Sequence, residues 1–382
     1  MGEAVASGLY VTLLVGPMVA LPAPKPIVDA LTSVEVTTTA TGRSAFQLGF
    51  TLSNRSPLQT AFLLAQGGPG VELRVILMVT VNNMPQVLID GVIRHQEVQP
   101  SSQAGYSTLT VTGEDLTAVM DLIQLDGLPF PALPVEARVA AILAKYAIYG
   151  VIPMIVPSLI PDVPIPVDRI PSQKGTDLAY IRQLAQEAGY VFYLDPGPLP
   201  GISTAYWGPQ VKFGVPQPAL SVNMDTWTNV ESLSFRYQPQ DSSLPLVFIQ
   251  DPTTHAPIPI PIPPITPLNP PLGIVVPPPA KIDKLEDTAK LSPGQALMQG
   301  MAKASASADV VTGTGTLDVL HYGRVLKARE LVGVRGAGPA FDGLHYVESV
   351  SHKIARNQYK QNFTLKRNAL VSNTPVVPTI GF

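Results

Sequence analysis

The sequence predicts an α+β fold dominated by β structure: a β section, a smaller α+β section, then a second β section carrying a helical insertion. Three observations predict it. Phe46, Leu48, Phe50 and Leu52 alternate with Gln47, Gly49, Thr51 and Ser53, the two-residue period of a half-buried strand. Leu178, Ile181, Leu184, Ala185 and Ala188 recur at three- and four-residue steps, one face of a helix. Near the end, Tyr359, Gln361, Phe363, Leu365 and Arg367 alternate with Lys360, Asn362, Thr364, Lys366 and Asn368, again a strand.

Composition bounds the rest. A chain of 382 residues exceeds one ordinary domain, and 46% hydrophobic residues suffice for packed cores. Only 14% are charged, against about 25% in a typical soluble domain, so much of the surface is expected to be covered in an assembly. A net charge of −3 gives no electrostatic footprint for nucleic acid. With no cysteine, disulfide and thiolate chemistry are excluded. The five histidines show no HxH or HxxxH spacing, so neither a metal site nor a cofactor is predicted.

Leu9 to Leu21 is apolar, but Glu3 and the lack of a preceding Lys or Arg argue against a secretory leader. It is also too short to span a bilayer. Leu9 to Val15 is read as a strand, or as an arm laid on a neighbouring subunit. Leu31 to Val111 reads as β throughout: Ser44 to Ser53, the aliphatic run Val71 to Val81, an Asn82-Asn83 turn, Gln86 to Gln96 with a kink or bulge at Gly91, and Tyr106 to Val111. Strands at this spacing suit a small antiparallel barrel or sandwich.

Thr112-Gly113-Glu114-Asp115 resembles a capping box before a short helix, Leu116 to Ile123. Pro134 opens a second helix bearing Val135, Val139, Ile142, Leu143 and Tyr146 on one face, and Gly150 ends it. Val151 to Val167 is proline-rich and expected to be extended without regular structure. Thr176 then caps the helix that carries the Leu178 to Ala188 stripe, Gly189 ends it, and Tyr190 to Leu194 leaves as a strand.

From about Leu220 the chain returns to β. Leu233, Phe235 and Tyr237 share one strand face, with Ser232, Ser234 and Arg236 opposite. Pro257 to Pro279 is rich in Pro, Ile and Val and is expected to lie extended, either against protein or as a surface loop. Ser292 caps a helix with Pro293 at its first position and Ala296, Leu297, Met301 and Ala304 inside. Four strand candidates close the chain: Thr314 to Tyr322, Val325 to Val334, Leu344 to Ile354 and Tyr359 to Arg367, with an Asp342-Gly343 turn. Domain boundaries are placed at 1–111, 112–215 and 216–382, the last with an insertion at about 250–310.

Three pieces together resemble the phage late control D family. These are the unit Gln173 to Asp195, then Leu326 to Leu331 with Gly333, Arg335, Gly336, Phe341-Asp342-Gly343, Tyr346-Val347, Val350 and His352, and last Tyr359, Phe363, Leu365 and Arg367. The resemblance spans about residues 5–370, and the order of the pieces carries it. That family includes the hub portions of type VI secretion spike proteins and the hubs of contractile injection systems. It implies a homotrimer whose subunits each supply two tube-like antiparallel β-barrel domains joined by a smaller α+β domain, giving a pseudo-sixfold ring. It implies as partners an inner tube hexamer, a trimeric spike and other baseplate proteins, with assembly in the cytoplasm and no enzyme activity. The duplication rests on the resemblance, since the two β sections share no convincing sequence identity. Many spike relatives continue into an oligosaccharide-binding-type domain and a needle. Here Phe382 follows soon after the last strand, so a hub with a separate spike is expected.

Other chemistries are weaker readings of the same residues. Asp115, Asp121 and Asp126 lack the opposed carboxylate pair of a glycosidase and read as solvated helix residues. Gly333, Gly336 and Gly338 lack a phosphate-loop ending and read as turns. Ser203 and Ser234 have no nucleophile-elbow context. His352 is expected to make a structural hydrogen bond. A tail-associated peptidoglycan hydrolase or a carbohydrate-binding β module are the alternatives to a hub. The strand face Lys360, Asn362, Thr364 and Lys366 is the candidate lumen- or partner-facing surface, and with Lys353 it offers charge to acidic cargo.

Overall fold

The computed structural model describes residues 3–6, 8–53, 72–100, 106–158, 170–250, 257–266, 269–285, 293–356 and 358–373. The first β section contains β1 (Glu3–Ala6), β2 (Leu9–Gly16), β3 (Leu21–Pro22), a short helix α1 (Lys25–Ala30), β4 (Leu31–Thr39), β5 (Ala45–Ser53), β6 (Arg74–Val81), β7 (Met84–Pro100) and β8 (Tyr106–Asp115). The apolar stretch considered as an arm for a neighbour is β2, inside its own sheet. It pairs with β6 from Leu9↔Val81 to Gly16↔Arg74, and Leu9, Val11 and Leu13 are buried. On β5, Phe46, Leu48, Phe50 and Leu52 are buried as their alternation predicts. Asn82 and Asn83 both hold positive φ (49° and 62°), the twist-matched two-residue hairpin turn. Gly91 is not a bulge: register shifts fall between Leu77 and Met78 on β6, and between Ile93 and His95 on β7. A Cβ at Gly91 would lie 2.1 Å from the Glu114 carbonyl oxygen, so close backbone approach is what requires glycine there.

The middle section starts later than the capping-box reading. Thr112 is still paired with Gln47 and His95, so its backbone is committed to the ladder. Asp115 is the cap instead, accepting the Thr117 N–H at 3.0 Å at the start of a 3-10 turn, Leu116–Asp121. Helix α2 (Val135–Ala144) follows Pro134, and Gly150 closes the next turn at φ 74°. Val151–Ile155, expected to be irregular, is a regular strand, β9. It pairs in parallel with the later strand 203–208 and is an edge of its sheet, where Pro153 is tolerated. Residues 159–167 of that expectation lie outside the described residues. Helix α3 (Asp177–Ala188) has its Thr176 hydroxyl accepting from the Ala179 N–H, and ends at Gly189 (φ 68°). β10 (Val191–Pro196) and β11 (Ser203–Gly208) complete a three-stranded sheet ordered β10-β11-β9. Around Trp207 gather Leu143, Ile181, Leu184 and Phe192, a core separate from that of the large sheet.

The second β section comprises β12 (Gln217–Ser221), β13 (Ser232–Tyr237), an insertion of β14 (Ser243–Gln250), β15 (Pro257–Pro261), β16 (Lys281–Lys284) and helix α4 (Pro293–Ser307), then β17 (Val311–Asp318), helix α5 (Val319–Tyr322), β18 (Leu331–Arg335), β19 (Gly343–Ala355) and β20 (Gln358–Arg367). The proposed cap Ser292 lies outside the described residues. The strand read as Thr314 to Tyr322 stops at Asp318, whose carboxylate accepts the N–H groups of Leu320 (2.8 Å) and His321 (3.2 Å) and so opens α5. Part of the proline-rich segment lies against protein: β15 pairs with β14, Ile262 and Leu272 are buried, and Arg367 Nη2 donates to the Leu272 carbonyl at 3.1 Å.

Both β sections join in one sheet. Its hydrogen-bonded path runs β1-β2-β6-β7-β8-β5-β4-β19-β20-β17-β13, with β18 on β19 and β12 on β18. The first section thus orders its strands β2-β6-β7-β8-β5-β4, and the second β12-β18-β19-β20-β17-β13. In chain order these are first, fourth, fifth, sixth, third and second in both. The unit is duplicated in topology although not in sequence. One difference stands: β12 runs parallel to β18, whereas β2 runs antiparallel to β6. The expected closed barrels are replaced, among the described residues, by this open path. β4 at the end of the first section bonds to β19 rather than back to β2. A single hydrophobic core from Leu9 to Leu365 underlies both halves.

Two histidines are buried within this second half among the described residues. His345 and His352 are buried, and His352 Nδ1 lies 2.8 Å from the Tyr359 hydroxyl, the structural bond expected of it. Burial pushes both imidazoles down to about 3, aided at His345 by the Arg367 charge. In the unfolded chain they return to about 6.5. Between those limits the unfolded state binds more protons, so stability present above about pH 6.5 is lost as pH falls, by roughly 1.4 kcal/mol per pH unit for each histidine. In a series of melting temperatures from pH 7 to 4.5, His352→Gln is expected to flatten the acid limb. An unchanged slope would contradict the assignment.

Candidate functional site: a polar sheet face spanning both halves

The candidate surface follows from strand periodicity. On β20, Tyr359, Gln361, Phe363, Leu365 and Arg367 point into the core and are buried, which sends Lys360, Asn362, Thr364 and Lys366 to the other face. The structure brings all four together with neighbours from adjacent strands. Thr316 Oγ1 donates to Asn362 Oδ1 at 2.9 Å, and Lys366 Nζ donates to Thr312 Oγ1 at 3.0 Å. Across the β4–β19 junction, Thr37 Oγ1 donates to Ser351 Oγ at 3.1 Å. Thr37, Ser234, Thr314, Thr316, Ser351 and Thr364 line a shallow groove of about 520 Å³. A second groove of about 450 Å³ continues over β4, β5, β7 and β8, with Glu35, Gln47, Thr112 and Glu114 among its walls.

Charge on this face is largely neutralised. Lys360 Nζ lies 2.8 Å from Glu231, and Lys353 Nζ lies 3.7 Å from Glu35. Arg43 pairs with Glu114 at 2.9 Å and also with Asp121. The lysines read as an attraction for acidic cargo are therefore tied to carboxylates or hydroxyls. What remains is a hydroxyl-rich, weakly charged sheet surface. The sequence displayed Ser232, Ser234 and Arg236 as one polar face. It did not show Thr37 or Ser351 beside them, because the pairing of β4 with β19 joins residues over 300 positions apart. The alternation of Thr312, Thr314 and Thr316 was the available signal.

Of the acidic residues weighed for catalysis as solvated positions, Asp126 is exposed as expected, while Asp115 and Asp121 are structural ties. Asp115 is buried, accepting from Ser44 N–H at 2.7 Å as well as from Thr117. Asp121 holds Arg43 and accepts the Thr176 hydroxyl at 2.6 Å, and its pKa is lowered chiefly by that bond. Asp126 accepts the Gly175 N–H at 2.7 Å. Ser203 lies in β11 and donates to buried Asp90 at 3.3 Å. Gly336 and Gly338 take positive φ (82° and 99°) in the loop after β18, as turn glycines do, while Gly333 lies in β18 itself. Among the described residues no three His, Asp or Glu side chains are grouped to hold a metal, and no helix is long and apolar enough to cross a membrane.

No family model and no curated protein matches the sequence. Solved structures do match the fold. A tail protein from Neisseria meningitidis MC58 aligns over 94% of this chain and 97% of its own, at 14% identity and a TM-score of 0.61. The 43 kDa tail protein of prophage MuSo2 from Shewanella oneidensis aligns over 94% and 98%, at 15% identity and a TM-score of 0.57. An Escherichia coli component of the type VI secretion system, itself similar to the bacteriophage T4 tail proteins gp27 and gp5, aligns over 91% and 76%, at 12% identity and a TM-score of 0.51. The chain therefore has the fold shared by these phage tail proteins and this secretion-system component.

Proposed function

We propose that this chain is the central hub of a contractile phage tail or tail-like injection particle, a structural part with no catalytic role. The observation that supports it most is the duplicated strand order, set in a fold shared along nearly the whole length of two tail proteins. Three copies of a chain with two equivalent β units present six units, which matches the symmetry of a tube hexamer on one side while keeping threefold symmetry for a spike on the other. In this reading the hydroxyl-rich sheet face, including Lys360, Asn362, Thr364 and Lys366, lines the lumen. The three sequence sections, 1–111, 112–215 and 216–382, act as first β unit, connecting α+β unit and second β unit. Tube, spike and other baseplate proteins are the partners, and assembly takes place in the cytoplasm.

Imaging of particles made with and without this chain tests the reading. Without it, tubes and spikes are expected to remain unjoined, and re-expression restores joined particles. Normal particles in its absence would refute the hub.

A further inference from the structure

The two halves of the sheet differ in how far their edges are covered. Within the chain, β4 lies against Ser349–Ala355 of β19. The halves align on strand order and on a shared bulge, between Ile93 and His95 on β7 and between Val347 and Ser349 on β19. That alignment makes β13 the counterpart of β4, and Glu97–Pro100 of β7 the counterpart of Ser351–Ile354. Among the described residues β13 pairs only with β17, and Glu97–Pro100 pairs only with β8. Exposure follows the difference. Val34 and Val36 on β4 are 3% and 0% exposed, while Leu233 and Phe235 in the same places on β13 are only half-buried. His352 is 4% exposed, while its counterpart Val98 is 37% exposed.

We propose that the open edge of β13 pairs antiparallel with Glu97–Pro100 of β7 in a second copy of this chain, in the register that β4 and β19 use internally. The internal register sets Ser351 opposite Thr37, His352 opposite Val36, Lys353 opposite Glu35 and Ile354 opposite Val34. Carried across, it sets Glu97 opposite Arg236, Val98 opposite Phe235, Gln99 opposite Ser234 and Pro100 opposite Leu233. Opposite charges meet, apolar side chains meet on the other face, and an amide meets a hydroxyl. A slip of one residue would put Val98 against Arg236 or Ser234 and exchange the faces. Pro100, with no N–H to give, falls where the ladder ends.

Six strands separate β7 from β13 in the sheet, and each copy carries one edge of each kind. The contact is therefore head-to-tail and covers edges otherwise open to promiscuous pairing. It deepens the hub reading and rests on it for the number of copies, three.

The absence of cysteine permits a clean test. Residues directly opposite in an antiparallel pair have Cα atoms about 4.5–5.5 Å apart, within disulfide reach. Glu97→Cys with Arg236→Cys in one chain, after mild oxidation, is expected to give covalent species ending at three copies on non-reducing gels. Each single variant, and Glu97→Cys with Ser232→Cys, four residues out of step, is expected to stay at one copy. All three positions are exposed, so the melting temperature is expected to match the parent. An oligomer in solution without the matched cross-link, or with equal cross-linking in the mismatched pair, would overturn this edge pairing and leave the hub reading standing. A chain that stays single at every concentration would remove both.

Discussion

Asp90→Ala is expected to cost about 3–5 kcal/mol of stability, the range for breaking a buried ion pair from one side. Arg74 donates to Asp90 through Nε at 2.7 Å and Nη2 at 2.6 Å, and the two side chains are only 5% and 1% exposed. The same guanidinium donates to the carbonyls of Met18 (3.0 Å), Tyr149 (2.7 Å) and Gly201 (3.3 Å). One cation thus ties β6 and β7 to the loop after β2, to the turn before β9 and to the turn before β11. Removing the carboxylate leaves that charge buried and uncompensated. A drop of about 5 °C in melting temperature is expected for a chain of this length. Arg74→Met with Asp90→Leu is expected to recover part of the loss, because no charge is stranded while three carbonyls lose a donor. A drop of under about 2 °C in the single variant would contradict the role assigned to the pair.

Trp207→Ala is expected to cost about 3–5 kcal/mol, the range for emptying a large aromatic site. Trp207 is fully buried at the centre of the middle core, with the Tyr190 ring edge-on at 4.8 Å. Its indole N–H is buried with no acceptor among the described residues. Trp207→Phe removes that unmet donor along with some volume, so it is expected to cost well under half as much. Denaturant unfolding followed by far-ultraviolet circular dichroism separates the two variants. Equal losses would contradict this expectation, since Phe refills most of the space that Ala leaves empty.

Much of the fold was legible because local signals agreed with tertiary ones. The Thr176 cap, the Leu178–Ala188 stripe and Gly189 describe α3 without reference to anything distant. Phe46 to Leu52 and Tyr359 to Arg367 gave their buried faces by alternation alone. The misreadings occur where a distant partner decided. Val151–Ile155 became a strand because β11 offered an edge, despite Pro153. Thr112 lost its capping role to the ladder with Gln47 and His95. Leu9–Val15, read as a strand or as an arm on a neighbour, is the strand, and its own β6 decides between the two. The duplicated strand order had no sequence signal, since hydrophobic alternation is satisfied by many residue pairs. Of the candidate site, the polar alternation on β20 was visible. Its union with Thr37 and Ser351 depended on the β4–β19 pairing, which joins the two ends of the chain.

A hub of this kind requires six β units in the assembled ring, two from each of three copies. Multi-angle light scattering of the purified chain measures the number of copies most directly. A concentration-independent mass of three chains is the predicted result, and a stable single chain, or a closed assembly whose count is not three, would contradict it.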